Sequence, residues 1–413
     1  MEILRITGGR PLAGTLAVQG SKHAVLPILA ATAAIPGRFI LTNVPPIRDV
    51  EVTIRLLEGL GLRTQRRDDC LILDSRAALS PSPDPHLAGL LRSSVLLLGA
   101  LLTRLGRAEI PLPGGCVLGQ RPLDLHLTAL RELGVELCCE EARLCCRGRP
   151  EGGAVWLRYP SVGATENLIL AALGATGPVR ILGAAREPEI RDLAAFLNAC
   201  GARITGAGSP CLRIDPAPLH GAAHRILPDR MEAVTWLCAV ASAGGSLRLT
   251  GLCPEQLDPV PELLRRAGCS LERGCNSIRI QGRALRSVGS LRTEPYPGFP
   301  TDAQAPVMAA LLRAEGTTVF EETVFSQRFR HVPALRALGA DIETAGALAR
   351  VRGVDRLHGA ELTATDLRGA AAMAVAALAA QGETRILEAR HLDRGYGDFL
   401  RRLRSLGAEA AAD

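Results

Sequence analysis

Of the 48 basic residues in this 413-residue chain, one is lysine and the rest are arginine; the lysine is Lys22. A site that keeps an ammonium while every other basic position is a guanidinium calls for a compact, strongly hydrated point charge. A series of distinctive residues recurs at matching places along the chain. Lys22, Arg92, Thr165, Arg230, Asp302 and Arg368 stand at the starts of Ala-rich helical runs. Arg48, Arg121, Glu187, Glu255, Arg328 and Arg394 stand in the loops ahead of the helical runs that follow. A helix start already carries free N–H groups and partial positive charge, so a cation there opposes the local field unless an anionic ligand offsets it. Arginine matches planar carboxylate and lysine suits phosphate, so the set fits a small ligand carrying both groups.

Candidate acids and bases accompany these charges. Cys116 lies in PLPGGCVLGQRPLDLHL, a Gly-rich loop just ahead of Arg121, where nearby positive charge favours a reactive thiol. Asp302, in FPTDAQAP, suits either a helix N-cap or a base. His126, in DLHL, reads as a packing residue. The pairs Cys138-Cys139 and Cys145-Cys146 read as a β-hairpin whose adjacent thiols point to opposite faces; they lack the spacing of a zinc site.

The elements that must carry these side chains repeat six times. A helical run ending in Leu-Gly or Ala-Gly, then a strand-like pair, recurs with pivotal glycines Gly61, Gly134, Gly201, Gly268, Gly339 and Gly407. A second, Ala/Leu-rich run ends at Gly37, Gly106, Gly177, Gly245, Gly316 and Gly382, in phase with the first. Each unit reads as helix, strand, loop, helix and strand pair, and glycine at a helix C-terminus supplies the left-handed conformation wanted there. Mixed helices and strands predict an α/β class. Three units plus three predict two similar domains: residues 20–228, carrying the Cys116 loop, and residues 1–19 joined with 229–413. An interdomain cleft is then the expected ligand site.

Composition narrows the function. Apolar residues make up 47% and charged residues 22%, an ordinary globular balance. A net charge of +6, few aromatics and no extended basic run argue against nucleic-acid binding. The longest apolar stretches are too short to span a bilayer, which argues against membrane insertion. Met1-Glu2 does not open a secretory signal, and twelve cysteines then fit a reducing cytoplasm.

Read together, GSKHAVLPILAAT, LPGGCVLGQRPLDLH, SVGATENLILAA, AAREPEIRDLAAFL, ILPDRMEA, FPTDAQAP, ETVFSQRFRHVPAL, ATDLRGAAAM and HLDRGYGDFL resemble, in order and over essentially the whole chain, the UDP-N-acetylglucosamine 1-carboxyvinyltransferases of the EPSP synthase family. The resemblance implies two inside-out α/β domains, each of three βαβαββ units. It implies transfer of the enolpyruvyl group of phosphoenolpyruvate to the 3′-hydroxyl of UDP-N-acetylglucosamine, with release of phosphate, and neither metal nor other cofactor. The two small-molecule substrates are the implied partners; oligomeric state is not readable. The roles it implies are these. Cys116 serves as acid or in product release, and Asp302 as base. Lys22, Arg121 and Arg394 clamp phosphate and carboxylate, Arg92 and Arg368 support closure or the anion field, and Arg328 is a further substrate-binding residue. Pro122, Leu123, Asp124 and Leu125 frame the uracil. Ser161, Val162 and Gly163 hold the diphosphate, and Val324 and Phe325 line the sugar and uridine.

This chain departs from the family pattern at His23, where asparagine is usual, at Arg48, and at Tyr159. Two further readings therefore stand beside the first. One is a paralogous enolpyruvyl transferase acting on another nucleotide sugar. The other is a catalytically silent sugar-nucleotide sensor, against which the intact Lys22, Cys116, Asp302 and Arg394 speak.

Overall fold

A computed structural model describes residues 1–111, 123–140 and 143–413. Six Ala- and Leu-rich helices form the cores: α1 (Lys22–Ala34), α2 (Leu97–Leu105), α3 (Val162–Ala172), α4 (Arg230–Ala243), α5 (Thr301–Ala310) and α6 (Leu367–Ala377). Their sequences are apolar on every face, and a helix of that kind belongs inside. In α1 every residue except His23 is buried, and α6 is buried along its whole length. The outer helices differ. Arg48–Leu60 buries Val50, Val52, Thr53, Leu56, Leu57 and Leu60, one stripe at helical spacing, and of its charged residues Asp49 is buried with them.

The chain divides into two compact units. A flanking unit takes Met1–Gln19 and Pro228–Asp413; an inserted unit takes the described residues from Gly20 to Leu227. Pro228 groups with the flanking unit. Helices α1, α2 and α3 pack on one another inside the inserted unit, and α4, α5 and α6 do so inside the flanking unit. Each unit has its own hydrophobic core around these helices.

The sheets lie around the helices and share one connectivity. In the flanking unit, strand Leu12–Ala17 runs parallel to Gly245–Thr250, which pairs antiparallel with Ser277–Gly282 and through it with Ser270–Arg273. The same order recurs with Ser290–Arg292, Thr317–Glu321, Leu348–Arg352 and Asp341–Ala345. It recurs once more where Ile3–Thr7 lies between Glu383–Leu387 and Glu409–Ala412, with Leu4 opposite Ile386 and Ala412. A parallel strand, a core helix, a strand, an outer helical segment and a hairpin make each repeat. In the inserted unit Ala223–Arg225 and Gly153–Trp156 supply the parallel strands of two such sheets. The third sheet has, among the described residues, the strands Arg107–Pro111, Arg143–Arg147 and Glu136–Glu140. In it Cys138 faces Cys145 across an antiparallel pair.

All six pivotal glycines, Gly61, Gly134, Gly201, Gly268, Gly339 and Gly407, have positive φ. The second glycine set is mixed. Gly37 and Gly177 are not left-handed. A Cβ on Gly37 would lie 2.5 Å from the Gly221 nitrogen, so close backbone approach explains that glycine.

Candidate active site

In the inserted unit, Ser21 caps α1 by accepting the Ala24 N–H at 3.3 Å. Lys22 follows as the first helical residue, and its Nζ lies 2.7 Å from Asp49 Oδ2. Both side chains are nearly buried. An ammonium at a helix start meets an unfavourable dipole, and the carboxylate offsets it. Asp49 belongs to the first turn of the outer helix Arg48–Leu60, where an acid is itself well placed. His23 sits half-buried in the first turn of α1.

Arg92 opens a short 3-10 turn, Arg92–Leu96, that runs into α2. Leu123 precedes the helix Asp124–Glu132, Asp124 is exposed in its first turn, and Leu125 packs against the core. His126 is buried beside them. Burial, and after it the charge of Arg92, hold its pKa down to about 4 against the pull of Asp124. The ring is therefore neutral near pH 7. Its Nδ1 lies 3.1 Å from Asn167 Nδ2, so Nδ1 accepts and the ring proton is assigned to Nε2. Asn167 Oδ1 in turn accepts the Gly99 N–H at 2.8 Å. This network joins α2, α3 and the Asp124 helix.

Ser161, Val162 and Gly163 form the start of α3, where the Ser161 hydroxyl accepts the Ala164 N–H at 3.4 Å. A Cβ on Gly163 would lie 3.5 Å from His126 Cε1, so the imidazole edge stands over this helix start. The first turn of α3 has no charged residue, which leaves backbone N–H groups as its polar character. Thr165 is wholly buried and accepts the Ala185 N–H at 3.0 Å. Glu166, Glu187 and Glu189 are buried in the same unit. Burial first, then Glu189 and Glu187, push the Glu166 carboxyl well above the usual range.

In the flanking unit, Asp302 stands in the first turn of α5 behind Pro300. Its Oδ1 accepts from Arg328 at 2.8 Å. Its Oδ2 accepts from Arg368 Nε at 3.1 Å and lies 3.0 Å from the terminal nitrogen of the same guanidinium. The two arginines are almost inaccessible, whereas Asp302 keeps 24% of its side-chain exposure. Arg328 also donates to the Thr301 carbonyl at 2.9 and 3.1 Å. Its guanidinium carbon lies 5.8 Å from the centre of the Phe325 ring. Glu322 accepts the Thr301 hydroxyl and the Val324 and Phe325 N–H groups, the last two at 2.9 and 3.0 Å.

Arg368 is the second residue of α6, capped by Asp366, which accepts the Arg368 and Gly369 N–H groups at 3.0 Å. It also donates to Tyr396 Oη at 3.0 Å. Thr235 gives its proton to the Met231 carbonyl at 2.9 Å, so Tyr396 donates to Thr235 across 2.8 Å. Burial alone would favour neutral Arg368, but the neighbouring Tyr396, Asp302 and Asp229 outweigh it and keep the guanidinium charged. Arg230 starts α4 under an Asp229 cap and lies over the Tyr296 ring. Arg394, half-buried, ends the helical turn Ala389–Arg394, two residues before Tyr396.

The expected residues thus fall into groups. Asp302, Arg328 and Arg368 are brought together, with Val324 and Phe325 fixed beside them. Leu123, Asp124 and Leu125 lie on the His126 segment, and His126 itself adjoins Gly163. Arg48 and Glu255 are exposed, so the equivalent place in a repeat does not by itself bring a side chain inward. Cys116, Arg121 and Pro122 lie outside the described residues. Sequence reasoning missed Asp49, Glu322 and Tyr396 as partners. Glu322 and Tyr396 lie inside or beside the segments ETVFSQRF and HLDRGYGDFL, but nothing local pointed to their contacts. A carboxylate fixed by two guanidiniums in one unit, and an ammonium and an open helix start in the other, equip the chain to hold anions and to move a proton.

Comparison with known proteins gives a consistent result. Residues 6–403 match the model of the family described as EPSP synthase (3-phosphoshikimate 1-carboxyvinyltransferase). A UDP-N-acetylglucosamine 1-carboxyvinyltransferase of Nitratidesulfovibrio vulgaris is 46% identical over 413 residues, covering 99% of this chain and 98% of the relative. A UDP-N-acetylglucosamine 1-carboxyvinyltransferase 2 of Caldanaerobacter subterraneus subsp. tengcongensis is 42% identical, covering 99% of each. Among solved structures, the enolpyruvyl transferase NikO from Streptomyces tendae superimposes with a TM-score of 0.90 at 26% identity, covering 99% of this chain and 98% of that one.

Proposed function

The chain belongs to the EPSP synthase family, and from that premise we propose that it transfers the enolpyruvyl group of phosphoenolpyruvate to the 3′-hydroxyl of UDP-N-acetylglucosamine, releasing phosphate. The observation that carries the geometric side of the reading is Asp302: a partly exposed carboxylate whose two oxygens are held by two buried guanidiniums.

The reaction proceeds by addition and elimination. The sugar hydroxyl adds to C2 of phosphoenolpyruvate while C3 gains a proton, giving a tetrahedral phospho-ketal. Loss of a C3 proton and of phosphate then forms the enol ether. Asp302 accepts the hydroxyl proton, and its fixed orientation makes that transfer reproducible. Cys116 supplies the acid or assists release of product. Lys22, Arg121 and Arg394 bind phosphate and carboxylate and stabilise the charge that develops, while Arg92 and Arg368 shape the surrounding field. The start of α3, at Ser161, Val162 and Gly163, offers its N–H groups to the diphosphate. Pro122, Leu123, Asp124 and Leu125 frame the uracil, and Val324 and Phe325 the sugar side. His23 donates a hydrogen bond to phosphate or sugar. The product is a precursor of peptidoglycan, which makes this a cytoplasmic step. Among the described residues no helix is long and apolar enough to cross a membrane.

A second reading, the same transfer onto a different nucleotide sugar, rests on the departures at His23 and Tyr159, beside the likeness to NikO, an enolpyruvyl transferase. A phosphate-release assay with phosphoenolpyruvate and a panel of nucleotide sugars tests both. Release with UDP-N-acetylglucosamine supports the first reading; release only with another sugar supports the second. Tight binding of UDP-N-acetylglucosamine without any release contradicts both. For His23, kcat/KM between about pH 5.5 and 8.5 is the measurement, and a profile unmoved by His23→Asn removes any titrating role.

A further inference from the structure

Arg394 is carried by a glycine-rich piece of chain, Arg394-Gly395-Tyr396-Gly397. Two glycines within three residues after Arg394 are intrinsically permissive backbone positions, and such freedom works against aiming a side chain. Gln19 removes that freedom. Its Nε2 donates to the Gly395 carbonyl at 2.8 Å, and its Oε1 accepts the Gly397 N–H at 2.9 Å. One primary amide thus holds both glycines, matching a donor to an acceptor and an acceptor to a donor.

Gln19 can hold because it is itself held. It is the last residue of the flanking unit before the chain passes into the inserted one. Its N–H donates to Glu232 Oε2 at 2.9 Å, and its carbonyl accepts the Asp229 N–H at 2.8 Å. Glu232 is buried and fixed by Trp236 Nε1 and by Arg402, each at 2.9 Å. The loop is anchored again on its other side. Gly395 and Tyr396 donate to the Leu392 carbonyl at 3.0 and 2.9 Å, and the Tyr396 hydroxyl is tied to Arg368 and Thr235. A Cβ on Gly395 would lie 2.7 Å from Leu367 Cδ2, so the loop packs tightly there.

We infer that Gln19 is a positioning residue for Arg394: its amide sets the 395–397 backbone and through it the aim of the Arg394 guanidinium at the phosphate or carboxylate of phosphoenolpyruvate. This rests on the proposed transfer reaction. Glutamate at 19 keeps the size and the acceptor but cannot donate to Gly395. Methionine keeps the length and offers neither bond.

The test is steady-state kinetics of Gln19→Glu and Gln19→Met, each alone and in an Arg394→Lys background, with melting temperatures alongside. Placement errors of about 1 Å can cost 10²-fold, so kcat/KM for phosphoenolpyruvate should fall roughly tenfold to a hundredfold. KM for UDP-N-acetylglucosamine should stay within about twofold, the mark of a loss confined to one substrate. In the Arg394→Lys background the same change should cost little, because residues acting through one another are non-additive. Unchanged kinetics in an active enzyme would overturn the inference. So would equal losses in both backgrounds accompanied by a lower melting temperature, since a merely structural role behaves that way. Wild-type protein that releases no phosphate with any nucleotide sugar would instead overturn the transfer reaction, and this inference with it.

Discussion

The starts of the core helices differ between the two units. In the flanking unit the charges at these starts are bound to each other: Asp302 of α5 takes Arg368 of α6 and Arg328, while Asp229 and Asp366 cap α4 and α6. In the inserted unit Lys22 finds its carboxylate on an outer helix, at Asp49, and α3 begins with a serine cap and uncharged N–H groups. The proposed reaction puts one architecture to two uses. The flanking unit fixes a carboxylate rigidly, as proton transfer requires. In the proposed reaction the inserted unit contributes a helix start and the Asp49-paired ammonium of Lys22 toward anionic groups.

If that division is right, the largest kinetic effect belongs to Asp302. Asp302→Asn should lower kcat by about 10²–10⁴-fold, the usual worth of a placed acid or base, with substrate affinities nearly kept. Lys22→Arg keeps the charge but changes its shape, and should cost about 10²–10³-fold in kcat/KM for phosphoenolpyruvate. Equal effects of Lys22→Arg on both substrates would blur the comparison. Ser161→Ala should raise KM for UDP-N-acetylglucosamine and cost about 1 kcal/mol of stability in urea unfolding, as loss of an N-cap does.

A last expected effect is on stability alone: it is one of pH, and it should appear in both units. His126 and His331 are each held down to about 4, chiefly by burial. Between that value and the ordinary histidine pKa of about 6.5 the unfolded chain binds more protons than the folded one. Stability should therefore be full above about pH 6.5 and fall as pH drops toward 4. Urea midpoints at pH 7 and pH 5 measure the slope, and His126→Asn should flatten it. A slope unchanged by that substitution would mean the ring is not kept neutral as described.

The repeats were legible because a helix end leaves a backbone signature. The six pivotal glycines were readable as left-handed positions, and they are. Gly37 and Gly177 stand at equivalent helix ends but are not left-handed; a sequence does not distinguish a glycine needed for φ from one needed for space. Asp302 could be picked out at a helix start, but its two arginines come from positions 26 and 66 residues away. Asp49, Tyr396 and Gln19 escaped for the same reason: their contacts reach 27 residues or more along the chain, to Lys22, Arg368 and Gly395, which no local pattern records. Position within a repeat also misled. Arg48 and Glu255 occupy the slot of Arg328 yet face solvent, while Arg328 is buried against Asp302.

The most direct test is to identify the product. Wild-type protein and Asp302→Asn are incubated with phosphoenolpyruvate and UDP-N-acetylglucosamine in deuterated water and followed by mass spectrometry and phosphate release. The prediction is a carboxyvinyl ether of UDP-N-acetylglucosamine, formed mole for mole with phosphate, bearing deuterium in its vinyl group, and greatly slowed by the substitution. Binding of both substrates without that ether, or an ether formed at the same rate by Asp302→Asn, would contradict the account.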